Sequence, residues 1–125
     1  MSRTLTVLHV DDEADIREVV ALSLELDQDI VLTSAGSGEA ALVMLEDGLR
    51  PDVILLDMMM PRLDGPETLL RLRNIPGLEA IPVIFMTARA QSAGLAFGAQ
   101  GVIVKPFDPM NLARQVRDEL AMTTP

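Results

Sequence analysis

The sequence predicts a doubly wound α/β fold around a five-stranded parallel sheet, and three observations carry that prediction. Short apolar runs alternate with segments of helical spacing five times along the chain. Val53-Ile54-Leu55-Leu56 is an uninterrupted apolar run bounded by Pro51 and Pro61, as expected of a strand buried on both faces at the centre of a parallel sheet. That run stops at Asp57, where an open α/β sheet keeps its ligand crevice, beyond the carboxyl ends of the strands. A carboxylate there is costly unless something compensates its charge. Taken alone, Asp57 is either a loop cap or a working group.

The elements follow in order. Leu5 to Val10 reads as a strand, followed directly by Asp11-Asp12-Glu13. From Ala14 to Leu26, Ile16, Val19, Val20, Leu22, Leu24 and Leu26 recur at roughly helical spacing, with Asp12 and Glu13 placed where negative charge suits the helix dipole. Ile30 to Thr33 is a second strand. Ser37 is expected to cap a helix from Glu39 to about Asp47, which Gly48 would stop. After the Asp57 strand, Leu63-Asp64-Gly65-Pro66 opens a third helix with Pro66 in its first turn, running to about Arg73. Ile81 to Met86 is a fourth strand finishing at Thr87-Ala88. Ala90 to Phe97 is expected to be a short fourth helix containing Gly94. Val102-Ile103-Val104 is the fifth strand, finishing at Lys105-Pro106, and Asp108 is expected to cap a fifth helix from Asn111 to Met122.

Composition narrows the function. A chain of 125 residues is one domain with enough length for a core. No apolar run approaches the roughly 20 residues that span a bilayer, and Met1 to Thr6 lacks a secretory pattern, so a soluble cytoplasmic protein without membrane insertion is expected. With no cysteine and one histidine, His9, thiolate chemistry and multi-histidine metal sites are excluded. A net charge of −9 argues against a nucleic-acid partner.

Asp11-Asp12, Asp57, Thr87 and Lys105 all finish successive strands, and in a parallel sheet those ends share one edge. Clustered carboxylates repel, which raises a proton affinity or demands a cation. Oxygen-only ligands suit a hard ion such as Mg²⁺. A cation, the Lys105 ammonium and the Thr87 hydroxyl around one carboxylate are what attack on phosphorus requires. Singly, each residue has a structural explanation as a cap, a loop donor or a surface charge. His9 alternates with Asp11 along its strand, although a packed core histidine is the plainer reading. The Met58-Met59-Met60 run is best explained by packing and backbone ligation, and Arg62, Arg71 and Arg73 by a solvated face of the third helix.

Val10-Asp11-Asp12-Glu13, Leu55 to Pro61, Asp64-Gly65, Met86-Thr87-Ala88 and Lys105-Pro106-Phe107 together resemble the receiver domain of two-component response regulators, of the stand-alone, chemotaxis-regulator type. The resemblance covers essentially the whole chain. It implies a flavodoxin-like strand order 2-1-3-4-5, five helices, and phosphoryl transfer from a sensor histidine kinase or a histidine phosphotransfer protein to Asp57. It further implies Mg²⁺ (or Mn²⁺) held by Asp12, by Asp11 directly or through water, by Asp57, and by the backbone carbonyl of Met59. Thr87 and the Ala88 amide would hydrogen-bond the phosphoryl group and Lys105 would pair with it. A single receiver domain over residues 1–125 with no output domain is expected, catalysing only its own phosphorylation and dephosphorylation and signalling to a downstream protein.

Two departures stand out. Receivers usually carry Tyr or Phe three residues before the lysine, where this chain has Val102, and Thr87 and Lys105 are only 18 positions apart (105 − 87). Both bear on output and neither on the phosphorylation site. Against a hydrolase with an aspartyl nucleophile, the second acid such enzymes commonly place two residues on is replaced by Met59. Against a phosphate-independent interaction module, none of the five site residues is lost.

Overall fold

In a computed structural model, which describes residues 4–88 and 98–121, each apolar run pairs with a neighbour in parallel. The strands are β1 (Leu5–Val10), β2 (Ile30–Ala35), β3 (Val53–Asp57), β4 (Val83–Thr87) and β5 (Gly101–Val104), in the order β2-β1-β3-β4-β5. Four helices connect or follow them among the described residues: α1 (Ala14–Leu24), α2 (Gly38–Glu46), α3 (Gly65–Leu72) and α4 (Leu112–Ala121). The short helix expected between Ala90 and Phe97 lies outside the described residues. So does Met122, where the last helix was expected to end.

Alternation along the strands divides the core in two. Leu8, Val10, Ile54, Leu56, Val83 and Phe85 pack on one side with Ala41 and Leu45 of α2 and Leu69 and Leu72 of α3. Val7, Val53, Leu55, Ile84, Met86 and Ile103 pack on the other with Val20 and Leu24 of α1 and Leu112 and Val116 of α4. Helices on both faces of a parallel sheet are the doubly wound arrangement. β3 and β4 are buried along their whole length, as central strands must be.

Local chemistry sets most boundaries. Ser37 Oγ accepts from the Ala40 amide at 3.0 Å and caps α2, while Gly48, with φ of +113°, ends it. Asp64 caps α3 by accepting from the Glu67 amide at 2.9 Å. Four expectations need correction. β2 runs past Thr33 to Ala35. α1 stops at Leu24, and Leu26 is exposed beyond it. Asp108 does not cap the last helix: its carboxylate accepts from Met110 N and Asn111 Nδ2 in a preceding turn, and the Asn111 carbonyl begins the helical ladder by accepting from Gln115 N. Arg73 is not part of a solvated face, because its guanidinium donates to the carbonyls of Leu78, Ile81 and Gly98 and ties the end of α3 to the approach to β4. No helix among the described residues is long and apolar enough to cross a membrane.

Candidate phosphoryl-acceptor site

Register places the site residues at one level. Val10 pairs with Leu56, Asp57 with Met86 and Thr87 with Val104, so Asp11, Asp57 and Lys105 stand at the carboxyl ends of β1, β3 and β5. The ladder continues one step past the strands, since Asp11 N donates to Ala35 O and Lys105 N to Thr87 O. Alternation then puts Asp11, Asp57 and Lys105 on the sheet face covered by α1 and α4.

Lys105 Nζ donates to Asp11 Oδ2 at 3.0 Å and to Asp57 Oδ1 at 3.2 Å. The lysine side chain is only 17% exposed, so these are partly desolvated charge pairs rather than screened surface ones. Asp11 is fully buried, Asp57 nearly so, and Asp12 is exposed at the rim. One carboxylate oxygen from each of Asp11, Asp12 and Asp57 lies within 4.8 Å of the others. Three carboxylates at that spacing, with no nitrogen or sulfur donor among them, match the donor set of a hard divalent cation.

The electrostatics agree. Burial, and then repulsion from Asp11, pushes the Asp57 carboxyl above its ordinary range, with Lys105 opposing the shift. Burial pulls the Lys105 ammonium down, but its hydrogen bond to Asp11 and the charges of Asp57 and Asp11 outweigh this and leave it raised. Lys105 is therefore a fixed positive charge, and Asp57 is a carboxylate that its surroundings leave under-compensated.

The remaining expected residues fall around this core. Thr87 ends β4 one residue past Met86, mostly buried, and Ala88 follows it at the surface. Met59 N donates to Asp57 Oδ1 at 3.4 Å, and Met59 is 76% exposed, whereas Met60 is buried. Of the methionine run, Met60 packs in the core, Met58 packs against it, and Met59 meets Asp57 through its backbone N–H. Val102 is half-buried beside Phe85, its partner in register, against the α2–α3 side of the core.

Sequence reasoning missed two supports. Arg17 Nη1 donates to the Asp11 carbonyl at 2.7 Å, and the Glu13 amide donates to Asp11 Oδ1 at 2.9 Å, so the β1–α1 turn is held from both sides. Nothing local to Arg17 signals that reach. The second is the steric role of Gly65, a residue the sequence marked only as part of the Asp64-Gly65 motif. A Cβ there would sit 2.5 Å from the Asp57 carbonyl oxygen and 2.8 Å from Met58 Cα, so only glycine lets α3 begin this close to the end of β3. Its place next to a capping Asp64 was a legible hint.

The sequence profile of the response regulator receiver domain matches residues 7–117. The chain is 37% identical to the phosphate regulon transcriptional regulatory protein PhoB of Pseudomonas aeruginosa, over 96% of its own length and 53% of that protein's. The chain therefore spans about half the length of that relative. An uncharacterized 14.6 kDa protein of Leptolyngbya boryana is 36% identical over 90% of this chain and 88% of its own. Among solved structures, chemotaxis response regulator CheY4 of Vibrio cholerae superposes with a TM-score of 0.84 at 31% identity, covering 93% of this chain and 98% of that one. The chain belongs to the response regulator receiver domain family of two-component signalling.

Proposed function

We propose that this chain accepts a phosphoryl group on Asp57 from a sensor histidine kinase or a histidine phosphotransfer protein, and signals by contact with a further protein as a cytoplasmic receiver. The observation that carries the reading is the position of Lys105, 3.2 Å from Asp57 and 3.0 Å from Asp11, at the level of three converging carboxylates.

Both hydrogen bonds given to Asp57 among the described residues fall on Oδ1, which leaves Oδ2 as the oxygen to attack phosphorus. The new O–P bond forms as the P–N bond of a phosphohistidine breaks, and the leaving imidazole keeps the electron pair and takes up a proton. Asp11, Asp12 and Asp57, with the Met59 carbonyl, would hold Mg²⁺ or Mn²⁺, which supplies charge neutralisation for the transferring group. Lys105 turns from Asp11 to the phosphoryl oxygens, and the Thr87 hydroxyl and Ala88 amide donate to them. Met59, two residues after Asp57, is neither acid nor base and activates no water, which favours a lasting acyl phosphate over rapid hydrolysis.

Incubation with a small acyl phosphate and Mg²⁺, followed by intact mass and by release of inorganic phosphate, tests the reading. A single stable phosphoryl adduct supports it. Multiple-turnover phosphate release would instead make the chain a hydrolase, and an unmodified chain would make it a phosphate-independent module.

A further inference from the structure

His9 is the one histidine in the chain, and the chemistry above makes no use of it. It lies on β1 two residues before Asp11 and on the same face. Its side chain is 0% exposed, and neither ring nitrogen has a hydrogen-bond partner among the described residues. Leaving buried polar atoms unpaired is costly, and a leucine would fill a similar volume without that cost. The ring is also not in the carboxylate cluster, whose mutually close ligand atoms come from Asp11, Asp12 and Asp57. His9 stands behind the site, with Nε2 at 4.0 Å from Asp11 Oδ2. That is too long for a hydrogen bond, and the same oxygen is already engaged by Lys105 at 3.0 Å.

We propose that His9 is a positioning residue for Asp11, donating its ring N–H to the Asp11 carboxylate when Lys105 leaves that carboxylate and a cation takes it as ligand. The inference rests on the reading of the carboxylate cluster as a cation site. A movement of about 1 Å brings Nε2 within hydrogen-bonding range of Oδ2. A neutral imidazole offers one N–H donor and adds no positive charge beside a bound cation, which a second lysine or an arginine would. Ligating carboxylates need such an outer partner to fix their orientation. Lys105 serves in the metal-free state, and His9 takes over when the ammonium turns to the phosphoryl group. The ring therefore lies unpaired in the state where Lys105 still holds Asp11.

The test is calorimetric titration of Mg²⁺ into the full 125-residue chain as wild type, His9→Leu and His9→Gln, with melting curves for each without metal. His9→Leu should melt no lower than wild type and bind Mg²⁺ about tenfold more weakly; His9→Gln, whose amide N–H reaches close to the place of Nε2, should recover to within about threefold of wild type. Equal binding by His9→Leu, or a His9→Gln as weak as His9→Leu, overturns the proposal. If His9→Leu does not fold, the wild type alone decides, because its single imidazole gives one ring N–H signal. That signal should move downfield as Mg²⁺ is added, and an unmoved signal in a chain that binds Mg²⁺ overturns the proposal. A wild type that binds no Mg²⁺ overturns the cation site as well, and so is distinct from failure of His9 alone.

Discussion

Lys105 Nζ lies 3.2 Å from Asp57 Oδ1 although 48 residues of chain separate them, and the same nitrogen serves Asp11. One ammonium is thus shared by two buried carboxylates. Replacing it with an uncharged side chain of similar reach leaves both carboxylates uncompensated. Lys105→Met should cost about 3 kcal/mol of stability in the absence of divalent ion. Part of that loss should return when Mg²⁺ replaces the missing charge. Urea denaturation with chelator and with Mg²⁺ measures both, and an unchanged midpoint in chelator would show that the pair contributes nothing.

Divalent ion should stabilise the wild type by mass action, about 2.7 kcal/mol at a concentration 100 times Kd. Asp12 is the exposed member of the cluster, so Asp12→Ala should remove most of the gain without disturbing the core. A melting temperature that ignores millimolar Mg²⁺ would mean that the three carboxylates do not act together.

Gly65→Ala places a methyl group against the Asp57 carbonyl and Met58 Cα, and backbone cannot give way as a side-chain tip can. The expected cost is about 2 kcal/mol, since overpacking of this kind displaces main chain. The loop carrying Met59 should shift with it, so phosphoryl-adduct formation should slow as well. Chemical denaturation and a time course of adduct mass check the two effects separately.

Much of this arrangement was legible in the sequence, because it depends on local signals. The apolar run ending in Asp57 gave the central strand and its working end together. Ser37 and Gly48 marked the limits of α2 through a side-chain acceptor and a positive φ, neither of which needs tertiary context. What escaped depends on contacts distant in sequence. β2 runs on to Ala35 because β1 pairs with it there, a fact no window around Ala35 contains. Arg73 reads as a surface helix residue until the carbonyls of Leu78, Ile81 and Gly98 come within its reach. His9 reads as core, and it is core, yet its neighbour Asp11 makes it more than filler.

His9 also gives a pH dependence with a definite sign. Burial lowers its pKa from 6.5 to about 4, with Asp11 opposing the shift. Below pH 6.5 the unfolded chain takes up a proton that the folded chain refuses until about pH 4. Stability present above pH 6.5 is therefore lost as the pH falls toward 4, by an amount on the order of 3 kcal/mol. Asp57, whose pKa is raised, contributes with the opposite sign in wild type and variant alike. The difference in unfolding free energy between wild type and His9→Leu, followed in chelator from pH 7 to 4, isolates the histidine. A difference that stays flat across that range would mean that burial does not hold the ring neutral in the folded chain.

The proposed phosphoacceptor is Asp57. The most direct test is intact mass of wild type and Asp57→Asn after incubation with a small acyl phosphate and Mg²⁺, with peptide mapping of any adduct. The asparagine keeps the shape of the side chain and relieves repulsion from Asp11, so the variant should fold at least as stably as wild type without metal. Wild type should take one phosphoryl adduct, dependent on divalent ion, and Asp57→Asn none. An adduct that persists in the folded variant and maps to another residue would contradict that role for Asp57, as would a wild type that takes none.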